Sequence, residues 1–222
     1  MVDSMVFVSS VGIITIFFFV LSSVLSFYLT ASYFSRRQKQ YLYWGIGMWI
    51  FAITDLIEVL FAWGIYSTGI AQAYLFLIAL LVVPLAMGSI SLTRSKLAMR
   101  AYVAYSAIVS IALLYYVVTS NLGTIVTNGI VNGYMPMSVL IGSSLITFPG
   151  LIIIVGIAAL SYIRTRRKKV LWIIAGMLVF ALGGMLYIES VPASIYYTEF
   201  AGLLMLWLGF FDFSRGTHTH KR

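Results

Sequence analysis

The sequence predicts an all-α bundle of seven transmembrane helices in a single domain over residues 1–222, and three observations carry that expectation. Of the 222 residues, 62% are hydrophobic and 9% are charged, against about 25% charged in an average soluble domain. A soluble fold of this length needs a polar exterior that so few charges do not supply, so a cytoplasmic enzyme is excluded. Apolar runs near 20 residues, the length that crosses about 30 Å of hydrocarbon, recur seven times with short polar breaks between them. The breaks alternate in charge, with all fourteen Lys and Arg on one side.

The first run, 6–34, follows Asp3 and ends in Arg36-Arg37. It has no basic leader and exceeds the about 7–15 apolar residues of a signal-peptide core, so it is expected to be retained. The second, 41–63, opens after Lys39 and holds Trp44 and Trp49. The third, 72–92, contains Pro84 and is followed by Arg94, Lys96 and Arg100. The fourth, 101–119, leads into the longest break, 120–134, where Asn128-Gly129 and Asn132-Gly133 are turn signals for a small outward hairpin. The fifth, 135–163, contains Pro149-Gly150 and ends at Arg164 and the basic run Arg166 to Lys169. The sixth spans 170–188 and the seventh 195–213, the latter followed by Arg215, Lys221 and Arg222. Basic loops stay on the cytoplasmic side, so the amino terminus is expected outside and the carboxyl terminus in the cytoplasm of a cell membrane.

A shift of 129 residues places Gly47-Met48-Trp49-Ile50-Phe51-Ala52-Ile53 over Gly176-Met177-Leu178-Val179-Phe180-Ala181-Leu182. Each segment follows a basic loop and a Trp, Trp44 or Trp172, which aligns the second run with the sixth. That is the pattern of a parallel 3+1+3 repeat, with chance likeness among apolar residues as its competitor. Under the shift, Asp55 and Glu58 correspond to Gly184 and Tyr187, so one half alone carries carboxylates.

Two of the six acidic residues lie inside the second run. Asp55 falls about 5 Å outward of its middle and Glu58 one turn further. Their spacing puts both on one helix face with Met48, Phe51 and Ala62. Facing lipid, each charge would cost about 2.5–3.5 kcal/mol, so this face is expected to turn into the bundle or a wet cavity. With no Lys, Arg or His near the middle of any run, the pair should hold at least one proton unless a cation enters. Exchange of protons or of a hard cation such as Na⁺, Ca²⁺ or Mg²⁺ follows as the functional expectation. The structural alternative is a protonated pair bonded to backbone or to hydroxyls of neighbouring helices.

Glu189 and Glu199 fall near the outer ends of the sixth and seventh runs, as interfacial residues or as an acidic vestibule leading down to Glu58. Asp212 reads as a partner of the inner basic loops. Pro84 and Pro149 are candidate hinges or plain kinks, because proline removes a helical hydrogen bond. Gly183-Gly184 and Gly142-Ser143-Ser144 suit close helix approach. Trp63, Tyr115, Tyr116, Tyr196 and Tyr197 fit an interfacial aromatic belt.

The exclusions are as informative. There is no Cys, so disulfides, thiolate metal sites and iron–sulfur clusters are out. The only two His, His218 and His220, lie in the tail, which removes bis-histidine haem ligation from the bundle. No Lys lies inside a run, so a retinal Schiff base cannot form, and no hydrolase or phosphate-loop pattern occurs. No enzyme activity, cofactor or metal centre is expected. The net charge of +8 is read first as a topology signal and an attraction to anionic lipid of about 1 kcal/mol per residue, not as nucleic-acid binding. The expected function is a small carrier or channel in the lipid bilayer that binds a proton, cation or cation-coupled solute at Asp55 and Glu58. The alternative is a non-transporting sensor module or an accessory subunit of a larger membrane complex. Homo-oligomers are compatible with either.

Several landmarks occur together: a Trp-rich second run after a basic loop, Pro84-Leu85 and Leu92-Thr93-Arg94 in and after the third, and Thr119-Ser120-Asn121 closing the fourth. In this combination the chain resembles the seven-helix membrane regions at the amino end of some prokaryotic sensor histidine kinases. The likeness covers most of the chain and implies a stimulus- or ligand-sensing membrane module. Those proteins continue into a kinase, whereas this sequence ends at Arg222, so signalling would need a separate output protein. No binding residue carries over.

Overall fold

The computed structural model describes the backbone of residues 2–122, 126–127, 130–131, 135–188 and 192–210, and the side chains of residues 12–122, 135–183 and 197–210. The helices in order are α1 (Val2–Arg36), α2 (Lys39–Ala62), α3 (Thr68–Leu80), α4 (Val82–Thr93), α5 (Lys96–Thr119), α6 (Met137–Thr165), α7 (Lys168–Ile188) and α8 (Pro192–Phe210). Helices α3 and α4 together make the third span, so the eight helices correspond to the seven expected runs. Five described spans are long and apolar enough to cross a membrane. The remaining two, α7 and α8, have 21 and 19 residues, close to the 20 or so that a crossing needs.

The fold is all-α apart from a ladder of two residues per strand after α5, β1 (Val126–Thr127) against β2 (Ile130–Val131). Its antiparallel register pairs Val126 with Val131 and Thr127 with Ile130. Asn128-Gly129 and Asn132-Gly133 themselves lie outside the described residues.

The third span begins at Thr68, four residues before the apolar run suggested, because Ser67 caps it: its side chain accepts from the Ile70 N–H at 3.2 Å. Ser95 does the same for α5, accepting from Ala98 N–H at 3.2 Å. The span divides at Leu81, one turn before Pro84. Proline has no N–H for the Leu80 carbonyl, and its ring crowds that oxygen, so the hydrogen-bond ladder is interrupted there. At Pro149, by contrast, α6 runs on unbroken. Beside it, Gly150 admits Val82 Cγ1 of α4, and a Cβ at that position would lie 3.2 Å from the Tyr102 hydroxyl of α5. The break in one span is thus seated against the small residue of the other.

Around the bundle, α1 packs on α2, α2 on α3 and α4, α4 on α6, α6 on α7, α7 on α8, and α8 closes back on α1. Helix α5 lies outside this ring against α3, α4 and α6. In α2, 67% of the most apolar stretch is buried, against 22% in α5, which makes α2 the inner helix. Ile108 and Ile111 of α5 are 70% and 69% exposed, as lipid-facing positions should be. The exposed Trp63, Tyr115, Tyr116 and Tyr197 lie towards the ends of their spans, as an aromatic belt requires. Tyr196 has no described side chain.

The α7–α8 pair is fitted through glycine. Gly176 and Gly183 are seven residues apart on α7, Gly202 and Gly209 seven apart on α8, so each helix offers small residues on one stripe. A Cβ on Gly176 would lie 2.9 Å from the Gly202 carbonyl oxygen, and one on Gly183 would run into Thr198. Gly142 likewise lets α6 approach α5, where a Cβ would stand 3.6 Å from the Leu113 Cα. Across the bundle, Phe18 of α1 stacks on Phe200 of α8 with centroids 6.0 Å apart. Trp207 Nε1–H donates to the Leu21 carbonyl at 3.2 Å. Phe51 of α2 meets Phe180 of α7 edge-on at 5.5 Å.

At the end of the bundle where the basic residues gather, three turns repeat one design. Arg37, Arg94 and Arg166 adopt the left-handed conformation, with φ of 52°, 57° and 53°. Each is followed by one residue, Gln38, Ser95 or Arg167, and then by the Lys that begins the next helix, Lys39, Lys96 or Lys168. A left-handed residue with a Cβ costs about 1–2 kcal/mol, and glycine is the usual occupant.

Candidate functional site

Helix α1 carries a buried stripe of hydroxyls at helical spacing, Thr15, Ser22 and Ser26. Two of them are satisfied by their own helix, Thr15 donating to the Gly12 carbonyl at 3.1 Å and Ser26 to the Ser22 carbonyl at 2.7 Å. Ser22 Oγ lies 3.2 Å from the Phe19 carbonyl of its own helix and also reaches across to α2, donating to Asp55 Oδ2 at 2.5 Å. One turn along α2, Glu58 Oε1 accepts from the Tyr74 hydroxyl of α3 at 2.6 Å. Asp55 and Glu58 are 2% and 4% exposed. Met48, Phe51 and Ala62 are buried with them, so the acidic face of α2 turns into the bundle as its spacing suggested.

A third carboxylate joins them from α8. Glu199 is 7% exposed and stands eight residues into its helix, about 10 Å from the end. With Asp55 and Glu58 it makes three carboxylates buried inside the bundle. Two of the oxygens in this group, Glu58 Oε2 and Glu199 Oε2, are buried without any hydrogen-bond partner. Every basic residue of the chain falls outside the apolar runs, and the two hydroxyl donors, Ser22 and Tyr74, are neutral. Carboxylates buried without a basic partner are costly to ionise in low dielectric, so each must bind a proton or a cation to persist. Among the described residues no three His, Cys, Asp or Glu side chains converge to hold a metal ion. The chemistry these buried carboxyl groups offer is proton binding or pairing with a cation.

Beside the acids lies a cavity of about 270 Å³ between α2, α3, α4, α6, α7 and α8. Phe51, Tyr74, Phe148 and Phe180 bring rings to its walls, and Ser143, Ser144 and Thr147 bring hydroxyls. Among the described residues, Glu199 is the only charged one lining it. A second cavity of about 130 Å³, against Trp44, Ser89 and Ser161, has no acidic lining among the described residues.

Of the residues singled out in the sequence, Asp55, Glu58 and Glu199 are all buried within the bundle. Glu189, Asp212, His218 and His220 lie outside the described residues. Pro84 sits in the first turn of α4, whose Val82 and Leu85 line the larger cavity, and Pro149 follows Phe148 of its wall. Ser22 and Tyr74 were missed. The Ser22 signal was present as the spacing of Thr15, Ser22 and Ser26, whereas nothing local marks Tyr74 as the donor to Glu58. No protein-family model, curated protein or solved structure matches the chain.

Proposed function

We propose that the protein is a small membrane carrier in which Asp55, Glu58 and Glu199 exchange protons against a solute held in the adjoining cavity. One observation supports this above the others: Glu199 is among the residues lining the cavity, is buried as Asp55 and Glu58 are, and keeps a carboxylate oxygen without a hydrogen-bond partner. A proton taken up by any of the three changes the field at the cavity wall, which is what coupling requires. The break at Leu81 and the glycine-seated contact at Gly150 supply the joint about which α3 and α4 move.

The basic ends belong in the cytoplasm of a cell membrane, the amino terminus outside, because all fourteen basic residues collect there. A 3+1+3 duplication accords with this frame: Gly47 packs on the third span at Leu85, and its counterpart Gly176 packs on the seventh at Gly202. Because the chain has no cysteine, Gln38→Cys and Ile65→Cys each give a single thiol. In intact cells a membrane-impermeant maleimide is expected to label the second and to spare the first, and the reverse pattern would invert the topology.

The function itself is tested with purified protein in vesicles loaded with a pH-sensitive dye. An imposed solute gradient should drive proton movement that empty vesicles lack. Protein that moves no protons under any gradient, and that co-purifies with a stoichiometric partner, is instead the sensor or accessory module.

A further inference from the structure

Resting on the reading of the carboxylates as proton-exchanging groups, we infer that the solute is a small organic monocation with an apolar, ring-sized body, its ammonium group paired with the Glu199 carboxylate. The observations limit the ligand from three directions. Glu199 Oε2 is buried and unpartnered, so it lacks the donor that a satisfied buried oxygen would have. An ammonium N–H supplies that donor together with the opposite charge. The rest of the wall is largely apolar and brings four aromatic rings, Phe51, Tyr74, Phe148 and Phe180, suited to an organic body and to cation–π contact.

The alternatives fit less well. A hydrated metal ion has no use for aromatic walls, and no metal-holding cluster occurs among the described residues. An anion would meet Glu199, Glu58 and Asp55 without a basic side chain in any span to answer it. The cavity of about 270 Å³ sits just below the range of about 300–1,000 Å³ typical of small-molecule sites, which points to a single ring with a short arm. Charge balances on entry: the ammonium ion comes in, the Glu199 carboxyl proton leaves to bulk water, and the net charge of the site is unchanged. One proton out per cation in is the stoichiometry of an antiporter, and the Glu199 proton passes through Glu58 and Asp55 on its way to bulk water.

The test is isothermal titration calorimetry on the full chain in lipid nanodiscs, with phenethylammonium, phenethyl alcohol and hydrocinnamate as probes. They share a ring and a short arm and differ in charge. The ammonium ion is expected to bind saturably, the alcohol roughly tenfold or more weakly, and the carboxylate not at all. Glu199→Gln should lower ammonium affinity roughly tenfold or more and leave the alcohol unaffected. Equal binding of ammonium ion and alcohol, or absence of saturable ammonium binding to the wild type, overturns the inference without relying on any variant's folding. The proton-exchange reading is judged separately by the carboxyl infrared band of the ligand-free protein. If that band titrates and no ammonium binds, the ligand class is wrong and exchange stands. If it does not titrate, exchange falls whatever the calorimetry shows.

Discussion

Asp55→Asn combined with Glu58→Gln is expected to reduce solute-driven proton movement in vesicles to the level of empty liposomes, with the protein still folded. The amides keep an oxygen for the Ser22 and Tyr74 hydroxyls, which donate at 2.5 and 2.6 Å in the wild type. Shape and hydrogen bonding are therefore nearly conserved, while two groups that bind and release protons are removed. Taking two acids out of a buried, cation-free environment relieves desolvation, so thermal stability should be unchanged or raised by about 1 kcal/mol or more. The two readouts separate the alternatives. Lost flux with intact melting identifies the carboxylates as working groups, whereas undiminished flux in the double variant leaves them a structural role alone.

The second large effect is on assembly. Gly176→Leu places a side chain where a Cβ alone would stand 2.9 Å from the Gly202 carbonyl oxygen and 3.2 Å from Met205 Cβ. The nearest of these is backbone, so no rotamer change relieves the contact, and α8 must move away from α7. A cost of about 3 kcal/mol or more is expected, at the upper end of overpacking. It should appear as a lower thermal midpoint in Trp fluorescence, since Trp207 anchors α8 to the Leu21 carbonyl. Gly156→Leu is the matched control. Nothing stands within 4 Å of a Cβ there, so its effect should stay within about 0.5 kcal/mol. Equal loss in both variants would mean that helix propensity, and not the α7–α8 contact, sets the outcome.

Much of this was readable from residue order because a bilayer imposes one strong rule: backbone groups must be satisfied within apolar helices of fixed length. The seven runs follow from that rule, and so does the inward face of α2, since Asp55 and Glu58 cannot face lipid cheaply. What was not readable is of two kinds. Local capping shifted the third span, because Ser67 begins a helix that hydropathy alone starts later. Tertiary pairing decided the rest. Tyr74 is sixteen residues from Glu58 along the chain and is brought to it only by the turn between α2 and α3. Glu199 looks interfacial on its own helix, and its depth comes from the way α8 closes against α1 and α7. The seven-residue glycine spacing on α7 and α8 was visible in the sequence, but only as two unrelated stripes until the helices were laid side by side.

The three arginine-headed turns set two demands against each other. A glycine at Arg37, Arg94 and Arg166 would relax the backbone at every one of these crossings, and the bundle would tolerate heat better for it. The same exchange would strip three of the fourteen positive charges on which the proposed topology rests. On that topology, each turn gives up backbone ease to keep a charge that favours holding its loop in the cytoplasm.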